Sequence, residues 1–301
     1  MKFAKYHGLG NDYLVIEPSA FSEGGVTPGA LSPAFSLADV SRLARRICHR
    51  NYGVGSDGIL LGPFASSVAD FGLRIINPDG SEAEKSGNGL RIFARYLYDT
   101  RQVGLPAFQI ETPGGVATAQ VFPEQGQIRV GMGHASFDSV VVGISGPRRE
   151  VVAELMEFAG LELSCSGVSV GNPHCVITGA PVTEVEARRL GPVVEADPRF
   201  KNRTNVQLMR PIDAHNIEIQ IWERGAGYTL ASGSSASAAA CAARRLGLCH
   251  GQVTVHMPGG QLRVDIDEAF EVTQTGPATK VAGGEIAAEG LSDGAPWAAR
   301  E

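Results

Sequence analysis

Apolar residues along this chain recur at two spacings, one typical of helices and one typical of strands. Helical spacing is predicted for four segments: 37–50, 90–98, 151–161 and 234–246. The last of these is so rich in alanine that we expect a buried helix. Extended structure is predicted for the segments 3–16, 59–61, 73–76, 168–177, 216–223 and 253–266. Residues 18–35 are rich in Pro, Ser, Gly and Ala and are predicted to form an exposed loop.

One arrangement of signals occurs twice. Gly-Asn before an apolar strand is found at 10–16 and again at 171–177, and a Ser-Gly pair opens a helical segment at 86–87 and again at 232–233. A fixed internal repeat predicts two similar half-molecules. We assign residues 1–130 to the N-terminal half and residues 131–282 to the C-terminal half. The tail, residues 283–301, is expected to pack on the N-terminal half or to be disordered.

The composition excludes several classes of protein. With 301 residues, 43% hydrophobic and 19% charged, the chain is typical of a globular protein with room for two cores. A net charge of −6 without a basic run argues against nucleic acid as a partner. Five cysteines without metal-ligand spacing favour free thiols over a disulfide framework or a zinc site. No membrane span or targeting segment is visible, so a cytoplasmic location is expected.

The two Ser-Gly pairs suggest a site for an anion. The backbone N–H groups at the start of a helix have no acceptor within the helix, and the helix dipole favours negative charge there. Two such starts facing each other would bind a carboxylate, with one group on each face of a substrate carbon. Amides, one cation and one anion near the repeats suit a substrate with both an ammonium and a carboxylate. These side chains are Asn11, Asn77, Asn172, Asn205, Glu223 and Arg224.

Six ordered motifs resemble those of the diaminopimelate epimerase family. They are KYHGLGND at 5–12, NPDGS at 77–81, SGNGLR at 86–91, GNPH at 171–174, RTNV at 203–206 and ERGAG at 223–227, and the likeness extends to TGPA at 275–278. The resemblance implies an α+β fold of two pseudo-symmetric halves, each a curled mixed or antiparallel sheet around a central helix. It also implies inversion of one α-carbon of LL-diaminopimelate to the meso form, for lysine and cell-wall synthesis, without cofactor or metal.

The resemblance also implies roles for individual residues. The reacting carboxylate would bind the amides of two pairs of residues, Gly87-Asn88 and Gly233-Ser234. The distal end of the substrate would be held by Asn77, Asn205 and Arg224, and the rest of the substrate by Asn11, Asn172 and Glu223. His174 and Glu223 would tune the two catalytic groups. The family often forms dimers, so a homodimer is the assembly that the resemblance allows.

The sequence departs from the family at the catalytic positions, because Ser86 and Ser232 stand where family members carry cysteine. A thiol has a pKa of about 8.5, whereas an alcohol should lie near the ~15.7 of water. The seven-unit difference makes the base roughly 10 kcal/mol harder to form, and a helix N-terminus returns at most ~2 kcal/mol. A serine at either position therefore needs a partner base, for which His174 and Glu223 are the candidates. Tyr228, Ser235 and Ile92 also differ from the residues usual in the family.

Three functions remain open from the sequence. The first is a cofactor-independent amino-acid epimerase acting on diaminopimelate or a close analogue. The second is another isomerase or a lyase on the same scaffold, which would need only one competent base. The third is a binding protein that kept the pocket and lost its catalytic groups.

Overall fold

The structure is a computed structural model and describes residues 1–21 and 37–291. The predicted loop at 18–35 lies largely outside the described residues, apart from a 3-10 turn at Pro18–Phe21. Residues 292–301 of the predicted tail also lie outside them. In the part of the chain that is described, no helix is long and apolar enough to cross a membrane.

The elements of the first part of the chain are, in order, β1 (Lys2–Gly8), β2 (Asn11–Ile16), α1 (Leu37–Ile47), β3 (Ile59–Phe64), β4 (Phe71–Ile76), β5 (Glu82–Ala83), α2 (Gly87–Asp99), β6 (Phe108–Thr112), β7 (Gly115–Phe122) and β8 (Gln127–His134). The rest of the chain forms α3 (Ser139–Val142), β9 (Glu154–Phe158), β10 (Leu161–Ser169), β11 (Pro173–Thr178), α4 (Glu184–Glu195), β12 (Asn205–Asp213), β13 (Asn216–Glu223), β14 (Gly227–Thr229), α5 (Gly233–Arg245), β15 (Gln252–Met257), β16 (Gly260–Ile266), β17 (Glu271–Pro277), β18 (Thr279–Glu285) and α6 (Ala288–Leu291).

Contacts within the chain define two compact units. The first comprises Met1–Gly8, Asp12–Ile128 and Ala278–Glu301, and the second comprises Leu9–Asn11 and Arg129–Pro277. The C-terminal segment returns to the first unit because β18 pairs antiparallel with β1 along its length. Residues 283–285 of the predicted tail are therefore part of a strand.

The first unit is a mixed sheet packed on a buried helix. Strands β2 and β3 run parallel, β4 is antiparallel to β3 and parallel to β6, and β7 is antiparallel to β6. Helix α2 packs against β1 and β7, and nearly all of its residues from Gly87 to Leu97 are buried. A second layer forms where the apolar face of α1 packs on the residues of β2 and β3, burying Val40 and Ala44 completely.

The second unit has the same organisation around α5. Its strands form a continuous mixed sheet from β9 through β17, in which β11 is parallel to β12 and β13 is parallel to β15. Helix α5 contacts strands from β10 at one part of this sheet to β17 at another, so the sheet curls around the helix. Residues 233–243 are buried throughout, which is possible because glycine, serine and alanine let the strands approach closely.

The predicted helices at 37–50, 90–98 and 234–246 and the predicted strands are confirmed in type by the structure. The helix predicted over 151–161 is wrong, because this segment forms β9 and the turn into β10. Exposure alternates there, with Leu155 63% exposed while Met156 and Phe158 are buried. A period of two is the burial pattern of a strand, and Ala159 and Gly160 close the hairpin with positive φ angles.

Gly191 offers a test of packing in the second unit. It lies in α4, and a β-carbon at this position would lie 2.4 Å from Cγ of Trp222. Trp222 cannot easily move away, because its Nε1 donates a hydrogen bond of 2.6 Å to Glu195. We expect Gly191→Ala to lower the free energy of unfolding by about 1–3 kcal/mol, measured by urea denaturation.

Gly290→Ala in α6 is the matched control, because its β-carbon would meet Ile286 at an ordinary 3.6 Å. This control should be neutral or slightly stabilising, as expected for removing a helical glycine. Equal stability changes in the two variants would contradict the packing argument.

Candidate active site

The first helix start belongs to the first unit, where Ser86 caps α2. Its backbone is extended (φ −139°, ψ 120°), and its Oγ accepts a hydrogen bond of 3.1 Å from the backbone N–H of Gly89. The carbonyl of Ser86 accepts the first intrahelical bond, from Leu90. Gly87 and Asn88, both buried, are therefore the first two residues of the helix, where the positive end of the helix dipole favours an anion.

Two side chains surround this helix start. The hydroxyl of Tyr13, which is 7% exposed, lies 3.4 Å from Oγ of Ser86. Within the same helix, the fully buried Arg91 donates a hydrogen bond to Oδ1 of Asn88. Burial lowers the pKa of Arg91 to about 9, so its guanidinium remains charged at neutral pH. This cation adds to the positive potential at the start of α2.

Asn77 lies in the turn between β4 and β5. Its Nδ2 donates a hydrogen bond of 3.0 Å to Oγ of Ser81, and its backbone N–H and carbonyl bind Ser81 and Gly80. The side chain therefore stabilises the turn in this structure. The amide is half-buried, which leaves it accessible from outside.

The second helix start has nearly the same geometry in the second unit. Ser232 caps α5 with an extended backbone (φ −146°, ψ 126°) and is 4% exposed. Its Oγ accepts from the backbone N–H of Ser235 at 3.4 Å and lies 3.4 Å from Oγ of Ser234. Gly233 and Ser234 are the first two residues of α5, as Gly87 and Asn88 are of α2. The predicted repeat is thus present in backbone geometry.

His174 lies on the face of the sheet that carries the polar residues. It pairs with Asn205 across the parallel strands β11 and β12 and is fully buried. Its Nε2 lies 2.9 Å from Oδ1 of Asn172. Burial, supported by the nearby charge of Arg224, lowers the pKa of His174 to about 3. The ring is therefore neutral at neutral pH and acts through its hydrogen bonds. Cys175 points to the opposite face, into the apolar core, as its strand position predicts.

Asn205 joins two segments that the sequence analysis assigned to the site. Its Nδ2 donates to the carbonyl of Pro173 at 2.8 Å, and its Oδ1 accepts from the backbone N–H of Arg224 at 3.0 Å. The donor and the acceptor of this side-chain amide thus both bind main-chain groups. Glu223, at the end of β13, is half-buried and directly precedes this fixed position.

A buried carboxylate, that of Glu195, also holds this turn. Glu195 is 5% exposed and lies at the end of α4, where its carboxylate accepts hydrogen bonds from Nε1 of Trp222 and, at 2.8 Å, from the backbone N–H of Gly225. It also forms an ion pair with Arg203. The turn that presents Glu223 and Arg224 is therefore held by two separate side chains, Asn205 and Glu195.

Asn11 is 7% exposed and belongs to the second unit together with Leu9 and Gly10. A β-carbon on Gly10 would contact Leu230, which lies two residues before Ser232. This short segment therefore reaches the neighbourhood of the second helix start. Gly10 and Gly171, the repeated glycines, both have positive φ angles (92° and 103°) that favour glycine.

In the second unit, hydrogen bonds link His174 to Asn172 and Asn205 to the backbone of Arg224. In the first unit, the hydrogen bonds of Asn77 lie within its own turn.

Sequence reasoning did not identify Tyr13, Glu195 or Gln207. Gln207 could have been found, because it follows Asn205 by two residues on a strand and so shares its face. Among the described residues, no group of three or more His, Cys, Asp or Glu side chains is placed to hold a metal ion.

Comparison with known proteins identifies similar chains. A family model described as diaminopimelate epimerase matches residues 3–138 and 167–281. A Nostoc sp. protein named diaminopimelate epimerase 2 is 49% identical over 290 residues, covering 96% of each chain. The diaminopimelate epimerase of Moorella thermoacetica is 39% identical over 295 residues, covering 95% of this chain and 99% of its own.

Solved structures show the same fold at low sequence identity. A hydroxyproline epimerase from Agrobacterium vitis, solved with bound trans-4-hydroxy-L-proline, superposes with a TM-score of 0.69 at 15% identity, covering 94% of this chain and 91% of its own. A methylitaconate-delta-isomerase superposes with a TM-score of 0.62 at 12% identity, covering 100% and 99%. The fold is therefore that of the racemase and epimerase structures.

Because the pKa of His174 is low, we expect the free energy of unfolding to decrease at acidic pH. Below the unfolded-state pKa of about 6.5, the unfolded chain binds a proton that the buried ring accepts only near pH 3. The contribution of this ring to stability therefore falls as pH decreases from 6.5 toward 3. Between pH 7 and pH 5 we expect the wild type to lose about 2 kcal/mol of unfolding free energy more than His174→Gln does.

Urea denaturation of both proteins at pH 5, 6 and 7 measures this difference. The surface variant His134→Gln, which removes a histidine without touching the buried ring, controls for loss of one titratable group. Parallel curves of stability against pH for wild type and His174→Gln would contradict the assignment.

Proposed function

This chain belongs to the diaminopimelate epimerase family, and from that premise we propose that it inverts one α-carbon of LL-diaminopimelate to the meso form without a cofactor. Family membership makes the chain an isomerase that acts on a small amino acid, within the pathway of lysine biosynthesis. The particular substrate and the roles of the individual residues are our proposal.

The observation that carries the proposal is the duplicated helix start. Ser86 and Ser232 have matching backbone angles, each accepts from an N–H of its own first turn, and each begins a buried helix. Such a start favours a carboxylate because of its N–H groups and its dipole. We propose that both starts act on one substrate, with the α-carboxylate on the amides of Gly87-Asn88 and Gly233-Ser234. The two serine hydroxyls would then address opposite faces of the α-carbon.

The remaining groups suit the rest of a zwitterionic substrate. Arg224 would bind the distal carboxylate, as its guanidinium favours bidentate pairing with such a group. Asn77 and Asn205 would contribute at the same end, Asn205 by fixing the main chain of Arg224. Asn11, Asn172 and Glu223 would surround the reacting end. Glu223 supplies the negative charge that an ammonium group needs.

Proton transfer at Ser86 requires a partner, and the structure supports Tyr13 for that role. As a chemical class, phenols are stronger acids than alcohols by roughly six pKa units in water. The Tyr13 hydroxyl lies 3.4 Å from Oγ of Ser86, within reach of a contact that tightens when substrate binds. We propose that a tyrosinate at Tyr13 takes the proton of Ser86 Oγ as that oxygen takes the α-proton. In the reverse direction the Tyr13 phenol returns a proton to Ser86 Oγ as the serine gives its own to the α-carbanion. His174, being neutral, would orient Asn172 and the substrate by hydrogen bonding.

A second candidate function is substrate binding without turnover. The observation that favours it is at Ser232, whose hydroxyl contacts another alcohol, that of Ser234, at 3.4 Å. An alcohol beside an alcohol does not supply a base near neutral pH. A different isomerase or a lyase, which needs one competent base only, would use the Ser86–Tyr13 side alone.

Exchange of the α-hydrogen with solvent separates these functions. In D₂O the wild type should incorporate deuterium at the α-carbon of LL-diaminopimelate and form the meso isomer, followed by mass spectrometry and chiral chromatography. Binding is verified independently by calorimetry. Binding without deuterium in substrate or product would contradict the epimerase proposal.

The double variant Ser86→Cys with Ser232→Cys places two thiols at the helix starts. Because a thiol is roughly 10 kcal/mol easier to ionise than an alcohol, we expect turnover to rise by at least an order of magnitude. Ser237→Cys, a buried serine of the same helix α5, is the matched control and should leave turnover unchanged. Activity in the double cysteine variant with none in the wild type would support the binding function.

The variant Tyr13→Phe tests the proton partner of Ser86. We expect kcat to fall by about 10²-fold, as is typical when a general acid or base is removed, with little change in KM. Tyr96→Phe is the control, because this equally buried hydroxyl in the first unit donates to Glu17 at 2.6 Å instead. Equal kcat in Tyr13→Phe and in the wild type would show that the phenol carries no proton.

A further inference from the structure

Among the described residues of the second unit, five buried side-chain atoms have no hydrogen-bond partner. Two of them, Nδ1 of His174 and Oε1 of Gln207, belong to completely buried residues on neighbouring strands. Buried polar atoms in folded proteins are nearly always paired, so two unpaired atoms in one layer require an explanation.

The strand register places both residues in the same layer. Strands β11 and β12 are parallel, with His174 opposite Asn205 and Val176 opposite Gln207, so the two polar side chains share a face of the sheet. Cys175, Ile177, Val206 and Leu208 occupy the other face and form the apolar core.

The polar face is the one that meets α5. Nε2 of Gln207 donates to Oγ of Ser235 at 2.9 Å, and Ser235 lies in the first turn of that helix. Both unpaired atoms therefore lie between the sheet and the start of α5.

One rotation of the Gln207 amide pairs both atoms. Oδ1 of Asn172 can only accept, so the His174 nitrogen facing it, Nε2, carries the proton and Nδ1 is an acceptor. The Gln207 amide lies within hydrogen-bonding reach of this ring. Exchanging its oxygen and nitrogen, which are assigned only by their partners, directs Nε2–H to Nδ1 of His174. The amide oxygen then accepts from the hydroxyl of Ser235, which can donate as well as accept.

We propose that Gln207 is a positioning residue of the active site, which donates to Nδ1 of His174, accepts from the Ser235 hydroxyl and so holds the His174 ring with its proton on Nε2. The alternative pairing would move the ring proton to Nδ1 and also rotate the Asn172 amide. A single rotation keeps the 2.9 Å contact of His174 with Asn172 as it is.

The resulting chain of hydrogen bonds joins the sheet to the helix start. It runs from Asn172 through His174 and Gln207 to Ser235, whose backbone N–H in turn donates to Oγ of Ser232. The ring and the capping serine thus keep a fixed relation within the second unit. This gives a function to Ser235, one of the residues that differ from those usual in the family.

The ring proton can be located by ¹⁵N NMR of histidine-labelled protein at neutral pH, with the His174 signal assigned by its loss in His174→Gln. In the wild type we expect a protonated Nε2 and an unprotonated Nδ1 that accepts a hydrogen bond. In Gln207→Met, Nδ1 loses its hydrogen-bond donor. Its resonance should then move to the position of an unprotonated nitrogen without a hydrogen bond, or the spectrum should show a mixture of the two ring tautomers. Ser235→Ala, a milder change, should shift the same resonance in the same direction by a smaller amount.

Gln274→Met is the matched control, because Gln274 is an equally buried amide of the same unit whose Nε2 contacts Sδ of Met132. It should leave the His174 signals unchanged. A wild-type ring with its proton on Nδ1, or an Nδ1 resonance that Gln207→Met does not move, would overturn the proposal.

The catalytic consequence rests on the proposed function, whereas the NMR measurement does not. If the wild type exchanges the α-hydrogen, Gln207→Met should lower kcat on the order of tenfold and change KM little, as expected when the partner that orients a histidine is removed. If the wild type shows no exchange, the proposed epimerisation fails while the ring-proton position still decides the role of Gln207.

Discussion

The buried start of a helix is the constraint on which both units depend. The first turn of any α-helix presents backbone donors that the helix itself cannot satisfy. A buried donor left without an acceptor costs about 1–3 kcal/mol. In α2 and α5 a serine oxygen satisfies the donor at the third position, and the curled strands keep water from much of the rest. At both starts the positive end of the helix dipole also favours negative charge.

In the sheet of the second unit, apolar core residues and polar residues lie on opposite faces because side chains alternate along each strand. One face of β11 and β12 is apolar and packs into the core, while the other carries His174, Asn205 and Gln207. Because a shift of one residue would exchange the two faces, the core also fixes the register of the polar groups. The positions of these polar side chains are thus determined by residues of the apolar core.

Local signals explain what could be read from the sequence. The two helix starts were identified because a capping serine is a local feature and because the repeat showed it twice. The segment 151–161 was misread because its apolar residues fit a helical period as well as an alternating one, and only pairing with β10 decides between them. Helix α4 was missed, since Gly191 and Pro192 lie within it and resemble a break.

Contacts between distant parts of the chain explain what could not be read. Tyr13 meets Ser86 across 73 residues, and no spacing rule connects them. Glu195 supports the turn at Gly225 from a helix 30 residues earlier, so its role appears only once the strands are paired. The family resemblance supplied the roles of the binding residues, which neither period nor composition contains.

The pairing of β1 with β18 has a consequence for how the chain is made. Because β18 follows the whole of the second unit in the sequence, the first unit cannot pair β1 with β18 until residues beyond Pro277 have been synthesised. The second unit, continuous from Arg129 to Pro277 apart from the short segment at Leu9–Asn11, can assemble earlier. A fragment that ends near residue 128 would expose an unpaired edge strand, which is the form most prone to aggregate. Genetic division of this protein into two contiguous halves is therefore a poor route to separate, stable lobes.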